Sequence, residues 1–199
     1  MKRAQPLCCV VRSLFFLFLF YSSFSFADTI PNFGQVSEKL YRGSRLTQPM
    51  DYEQLVFYGV HAVVNLENLH GDDLKLCSQY HLDCQAFPIS IRPGVHGDRM
   101  FDYDMLEKAL EFVVRSLNQG ETVYIHCHYG KDRTGVLAAA WVIRENICLI
   151  PSSNKDLLWQ SVQADLLKYG FHFNWYTLLE NSMKDWIYNP PPWLCYSLH

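Results

Sequence analysis

Between Thr122 and Ile147 the chain changes character twice within a few residues. The run TVYI, β-branched and aromatic, leads into HCHYGKDRTG, and from Arg133 to Ile147 the sequence reads as a largely apolar helix containing TGVLAAAWVI. A strand that passes through a short glycine-containing loop straight into a core helix is the most restrictive feature of this sequence. It requires a sheet on which that helix can pack.

The remaining elements agree. A short strand is expected near Leu40 to Arg42, a helix from Gln48 to Tyr58 ended by Gly59, and a buried strand in VHAVVNL, from Val60 to Leu66. HGDD opens a helix reaching about Tyr80, and Cys84 to Ile89 makes another strand. RPGVHGDRMF reads as an irregular, mobile loop. Asp102 caps a helix in which Leu106, Ala109, Leu110, Val113 and Leu117 recur at i, i+3, i+4 spacing, with Glu107, Lys108, Glu111 and Arg115 on its polar side; Gly120 ends it. Two helices follow, near Lys155 to Lys168 and Asn174 to Ile187, and the prolines of NPPPWLCYSLH indicate an irregular tail over 189–199. Strands alternating with helices predict an α/β sandwich with a small, mostly parallel central sheet flanked by helices.

A strand, a tight loop and a helix N-terminus make an anion site, because successive backbone N–H groups converge while the helix dipole adds partial positive charge. Cysteines in such electropositive places are held as thiolates, with pKa values of roughly 3.5–7.5; Cys127 is therefore the candidate nucleophile. Arg133 has the planar fork of donors that holds a phosphate bidentately. Gly130 and Gly135 leave room for backbone and helix packing. The Thr134 hydroxyl can donate to the cysteine sulfur. Lining such a loop, His128, Tyr129, Gly130, Lys131, Asp132 and Arg133 are the candidate substrate-binding residues.

The chain's beginning bears on where it acts. Lys2, Arg3 and Arg12 precede an apolar run from Leu14 to Tyr21, and small residues at Ser25 and Ala27 follow, the pattern of a signal peptide over 1–27. The apolar part falls short of the roughly 20 residues that span a bilayer, so no stable anchor is expected after cleavage. The remainder holds 14 Lys plus Arg against 20 Asp plus Glu, a formal charge of −6, which argues against nucleic acid as a partner. Five cysteines remain, an odd number that leaves at least one thiol free in an exported protein. Cys77, Cys84, Cys148 and Cys195 read as buried small residues or as one disulfide.

HCHYGKDRTG fits the HCxxGxxR(S/T)G signature and resembles the phosphate loop of the cysteine-dependent protein tyrosine and dual-specificity phosphatases. NFGQVSEKLYRGSRLTQP is similar to the opening of the compact bacterial and fungal dual-specificity-like members, VHAVVNLEN to the strand that follows, and DLLKYGFHFNWY to their C-terminal helices. The resemblance covers roughly 32–187 and implies one phosphatase domain, 28–188. It also implies a metal-free, cofactor-free, two-step reaction in which Cys127 attacks phosphorus, an aspartic acid protonates the leaving oxygen, and water hydrolyses the cysteinyl-phosphate. His126 would then orient the loop and help set the sulfur's reactivity. Phosphoproteins, phosphoinositides and inositol phosphates are the implied substrates, and the export signal implies a periplasmic or secreted enzyme.

For the general acid the sequence offers Asp98, Asp102 and Asp104, with Asp132 and His96 as rivals. Asp102 and Asp104 have an ordinary role at the start of a helix. Asp98 lies in the Pro/Gly-rich loop where closure over a substrate is plausible, and it is the preferred candidate. Zinc bound by His126, Cys127 and His128 is disfavoured because alternate strand residues point to opposite faces. The alternatives to an enzyme of this kind are a phosphate-binding module without an effective acid, and a sulfur-transfer protein. Arg133 and Thr134 argue against the second. Cys84, at the start of a strand expected beside the loop, is the candidate for a protective disulfide with Cys127.

Overall fold

The computed structural model describes residues 29–91, 101–149 and 154–195. Five strands form one sheet in the order β1-β2-β5-β3-β4, with β1 at Gly34–Ser37, β2 at Leu40–Ser44, β3 at Ala62–Asn65, β4 at Asp83–Ala86 and β5 at Val123–Cys127. Only the β1–β2 pair is antiparallel. β5 lies at the centre, parallel to both β2 and β3, and all five of its residues are buried. This is the small, mostly parallel sheet that the strand–helix alternation predicts.

Helices cover both faces. α1 (Pro49–Phe57) and α2 (Leu74–Gln79) belong to one side, where Tyr52, Leu55, Val63, Leu82 and Tyr124 pack together. The other side carries α3 (Tyr103–Asn118), α4 (Asp132–Arg144), α5 (Lys155–Lys168) and α6 (Thr177–Tyr188), around a larger cluster that includes Leu106, Val113, Ile125, Leu137 and Leu166. In α3 the predicted stripe is buried at Leu106, Ala109, Leu110 and Val113, while Lys108, Glu111 and Arg115 face outward. α4 is apolar on most of its circumference because it is covered on most of it: Val136 to Ala140 and Ile143 are all buried.

Three differences from the sequence reading have physical causes. α4 stops at Arg144 and continues as a π-helical turn, Glu145–Leu149, rather than as α-helix to Ile147. The tail, expected to be irregular on account of its prolines, contains a short helix, α7, at Pro192–Cys195, with proline in the first position, where its missing N–H costs nothing. Burial of Leu194 and a disulfide from Cys195 to Cys148 dock α7 onto that π-turn. A second disulfide joins Cys77 to Cys84. The sequence reading allowed one disulfide at most, since spacing alone does not say which thiols meet.

Candidate active site

β5 delivers Cys127 to the C-terminal end of the central strand, and the chain turns through His128 to Lys131 before α4 begins at Asp132. Cys127 is 3% exposed and is the free cysteine among the described residues. It opens onto a cavity of about 310 Å³ whose wall also includes His128, Tyr129, Asp132, Arg133, His172 and Tyr176. Five of the residues assigned to the loop from the sequence therefore meet in one cavity. Gly130 and Lys131 lie off its wall.

The loop fits because two glycines let it. Gly130 has φ +68°, and a Cβ there would stand 2.4 Å from the carbonyl carbon and oxygen of Gly43 in β2. At Gly135 a Cβ would come within 2.9 Å of Leu166 in α5, so that glycine sets how closely α4 approaches α5. Lys131 extends toward Tyr129, with its Nζ 6.0 Å from the ring centroid.

Arg133 is anchored on one side, where Nη1 donates to Leu66 O at 3.2 Å and, more weakly, to Ile89 O at 3.5 Å. The backbone beyond β3 and β4 thus fixes the plane of the guanidinium. The Thr134 hydroxyl, expected to donate to the sulfur, makes no hydrogen bond: Oγ1 is buried without a partner. It is a free donor at the start of α4.

Several partners of the loop were not visible in the sequence. His126 is fully buried, and its Nε2 lies 3.2 and 3.3 Å from the two carboxylate oxygens of Asp72, 54 positions earlier. Its ring is stacked on Tyr124. His128 Nδ1 lies 3.6 Å from Glu67, which is held by the Arg45 guanidinium. Asp132 accepts from the backbone N–H of His172 at 2.9 Å, and both its oxygens lie 3.0–3.1 Å from His172 Nδ1. The His172 ring stacks on Trp175. Tyr176 closes this wall; burial, followed by the charge of Asp132, pushes its phenol above the ordinary value of 10, so it faces the site neutral. The segment after α5 thus supplies a wall of the cavity, a role that GFHFNWY does not announce by any local pattern.

The candidates for general acid divide accordingly. Asp102 accepts from the Met105 N–H as the N-cap of α3, the role its position predicts, and Asp104 is exposed in the first turn of that helix. The Asp132 carboxylate is occupied by His172. Asp98 and His96 lie outside the described residues. The proposed Cys84–Cys127 disulfide does not form, because Cys84 is bonded to Cys77 within the β4–α2 unit.

A buried thiol at the end of a central parallel strand, followed by a glycine loop and an arginine at a helix start, defines a cysteine-dependent phosphatase fold. Residues 36–146 match the family model described as "Polymorphic toxin system, DSP-PTPase phosphatase". The match spans more than half of the chain, and the chain belongs to that family. It is a phosphatase of the dual-specificity type, a hydrolase of phosphomonoesters.

Solved structures agree on the fold. The core catalytic domain of the PP-IP phosphatase Siw14 from S. cerevisiae is 18% identical with a TM-score of 0.57, the alignment covering 83% of this chain and 89% of that one. TpbA of P. aeruginosa is 20% identical with a TM-score of 0.54, over 83% and 95% of the two chains. PTPMT1 bound to PI(5)P is 14% identical with a TM-score of 0.55, over 77% and 95%. No curated protein matches the sequence.

Proposed function

We propose that this phosphatase is exported and uses Cys127 to hydrolyse phosphotyrosine in proteins or the phosphomonoesters of phosphoinositides and inositol phosphates. The observation that carries the reading is the convergence of an unpaired Cys127 and a backbone-anchored Arg133 on one cavity. The S–P bond forms as the ester P–O bond breaks. Asp98, which precedes α3 in the sequence, supplies the proton to the leaving oxygen. Water then attacks phosphorus and the S–P bond breaks, with the unpartnered Thr134 hydroxyl available to the departing sulfur.

Export is supported by the sequence of 1–27 and by the two disulfides, which are characteristic of oxidising compartments. The substrate class is supported by the cavity: besides Cys127 and Arg133 its wall carries Tyr129, Trp175 and Tyr176, aromatic surface against which a phenyl ring or the C–H face of an inositol ring can pack. Among the structural neighbours, one is a PP-IP phosphatase, one binds PI(5)P and TpbA binds pTyr.

The test is release of phosphate by the chain lacking 1–27 from phosphotyrosine peptides, phosphoinositides and inositol phosphates, run beside Cys127→Ser. The expected result is turnover of at least one class that disappears in Cys127→Ser. Turnover that survives the substitution refutes the assignment of the nucleophile, and inactivity on all three classes refutes the substrate reading.

A further inference from the structure

The phosphate loop has an outer side as well as an inner one. When the amides of a short loop turn toward an anion, carbonyls turn away from it into protein, and each buried carbonyl then needs a donor. Four successive loop carbonyls find one. Lys131 O accepts from Gly135 N–H within α4 at 2.8 Å. The other three face a single earlier stretch of chain: Gly130 O accepts in the interior from Arg42 Nη2 at 3.0 Å, while Tyr129 O, on the exposed side of the loop, accepts from Asn32 Nδ2 at 2.8 Å and His128 O faces the Arg45 N–H at 3.5 Å. The same Nη2 lies 3.5 Å from Lys131 O.

Arg42 is the centre of this support. It is fully buried, its Nη1 is held by Asp165 of α5 at 2.8 Å, and its guanidinium lies 4.1 Å from the centroid of the Tyr169 ring. None of these three residues lines the cavity. If only packing were at stake, an apolar side chain of similar volume would fill the space without the desolvation cost of a buried cation. A guanidinium can hold a carboxylate and a loop carbonyl at once, which a lysine ammonium on a flexible stem does less well.

We propose that Arg42, assisted by Asn32, is a positioning residue: it fixes the outward carbonyls of Gly130 and Tyr129 and so aims the loop's amides at phosphate. The inference rests on the reading that this loop binds phosphate, and it assigns to the β1–β2 segment a part in the reaction. Arg42 and Asn32 touch no reacting atom. Their effect passes through the loop.

The experiment measures binding of inorganic phosphate by calorimetry, together with kcat and KM on an activated aryl phosphate and the melting midpoint, for Arg42→Lys, Asp165→Asn and Asn32→Gly. Asn32 has φ +55°, which glycine accepts, so Asn32→Gly removes the donor without straining the backbone. Arg42→Lys is expected to weaken phosphate binding about tenfold or more, the loss that follows from an orphaned buried carbonyl. Asn32→Gly and Asp165→Asn are expected to weaken it severalfold in folded protein. kcat/KM on the aryl phosphate should fall in parallel.

A merely structural role predicts lower melting midpoints with unchanged phosphate affinity, and that result overturns the proposal. If Arg42→Lys does not fold, Asp165→Asn decides, because it loosens the grip on the same guanidinium. A parent chain that binds phosphate but turns over no ester refutes the functional reading and leaves the binding comparison decisive for the loop. A parent chain that binds no inorganic phosphate overturns the inference.

Discussion

Gly130→Ala separates two costs that usually arrive together. At φ +68° any residue with a Cβ pays a left-handed backbone penalty of roughly 1–2 kcal/mol. Gly130 adds a steric term, because its new Cβ would stand 2.4 Å from the carbonyl of Gly43 and 2.8 Å from Ser44 N. Carbon atoms prefer about 3.5–4.0 Å, so the loop must retreat by about 1 Å, and the obstacle is strand backbone that cannot rotate away. Overpacking of this kind costs about 1–3 kcal/mol. Gly59 supplies the control: it has φ +70° and nothing within 4 Å of its notional Cβ. Urea unfolding should therefore show Gly59→Ala losing about 1–2 kcal/mol and Gly130→Ala about 2–5 kcal/mol. A displacement of about 1 Å at a reacting site can lower turnover about 10²-fold, so Gly130→Ala should be nearly inactive and Gly59→Ala fully active. Equal destabilisation by the two substitutions, with undiminished turnover in Gly130→Ala, would refute the argument that β2 backs the loop.

Three further outcomes are expected. Asp98→Asn should slow alkyl and phenyl phosphates by roughly 10²–10⁴-fold while sparing an activated aryl phosphate, whereas Asp102→Asn, which replaces a helix cap, should show no dependence on the leaving group; equal losses across the series for Asp98→Asn remove it as the acid. Opening the Cys148–Cys195 bridge, whose cysteines are separated by 47 in sequence, should cost about 4 kcal/mol by loop entropy, against about 2 for Cys77–Cys84, separated by 7; Cys148→Ser and Cys77→Ser measured by urea unfolding check the order. Burial pushes the Tyr52 phenol up to about 12 from 10, so the folded state keeps a proton that the unfolded chain loses; its contribution is intact below pH 10 and falls by roughly 1.4 kcal/mol per pH unit from there to about 12, a slope that Tyr52→Phe should reduce and that would persist unchanged if another group were responsible.

The parts of this site that were legible in the sequence are those confined to one stretch of chain. TVYI, the glycine loop and the apolar helix as far as Arg144 read correctly because strand, loop and helix are local patterns, and Cys127, Asp132 and Arg133 reach one cavity for the same reason. Asp102 was legible as a cap because its partner is three residues away. Arg42, 88 positions before Gly130, carries no local sign of its role, and the LYRGS around it reads only as strand. Asp72 and His172 were hidden in the same way. Each looks like a polar residue near a helix until the fold brings it against His126 or Asp132. The cysteines failed differently: of the four expected to be buried only Cys77 is, Cys84, Cys148 and Cys195 being half-buried, and the Cys148–Cys195 pairing depends on docking α7 against the turn that follows α4, which the prolines near the C-terminus do not announce.

The central claim is that phosphate passes through a covalent bond to Cys127. Its most direct test is quenching of the phosphatase in denaturant at mildly alkaline pH during turnover of an aryl phosphate, with mass spectrometry of the peptide spanning HCHYGKDR. The account predicts one phosphoryl group on Cys127 in the parent protein, stable to mild alkali and lost on mild acid treatment, and none in Cys127→Ser. Sustained turnover with no phosphoryl group on that peptide, or with the group on another residue, would contradict it.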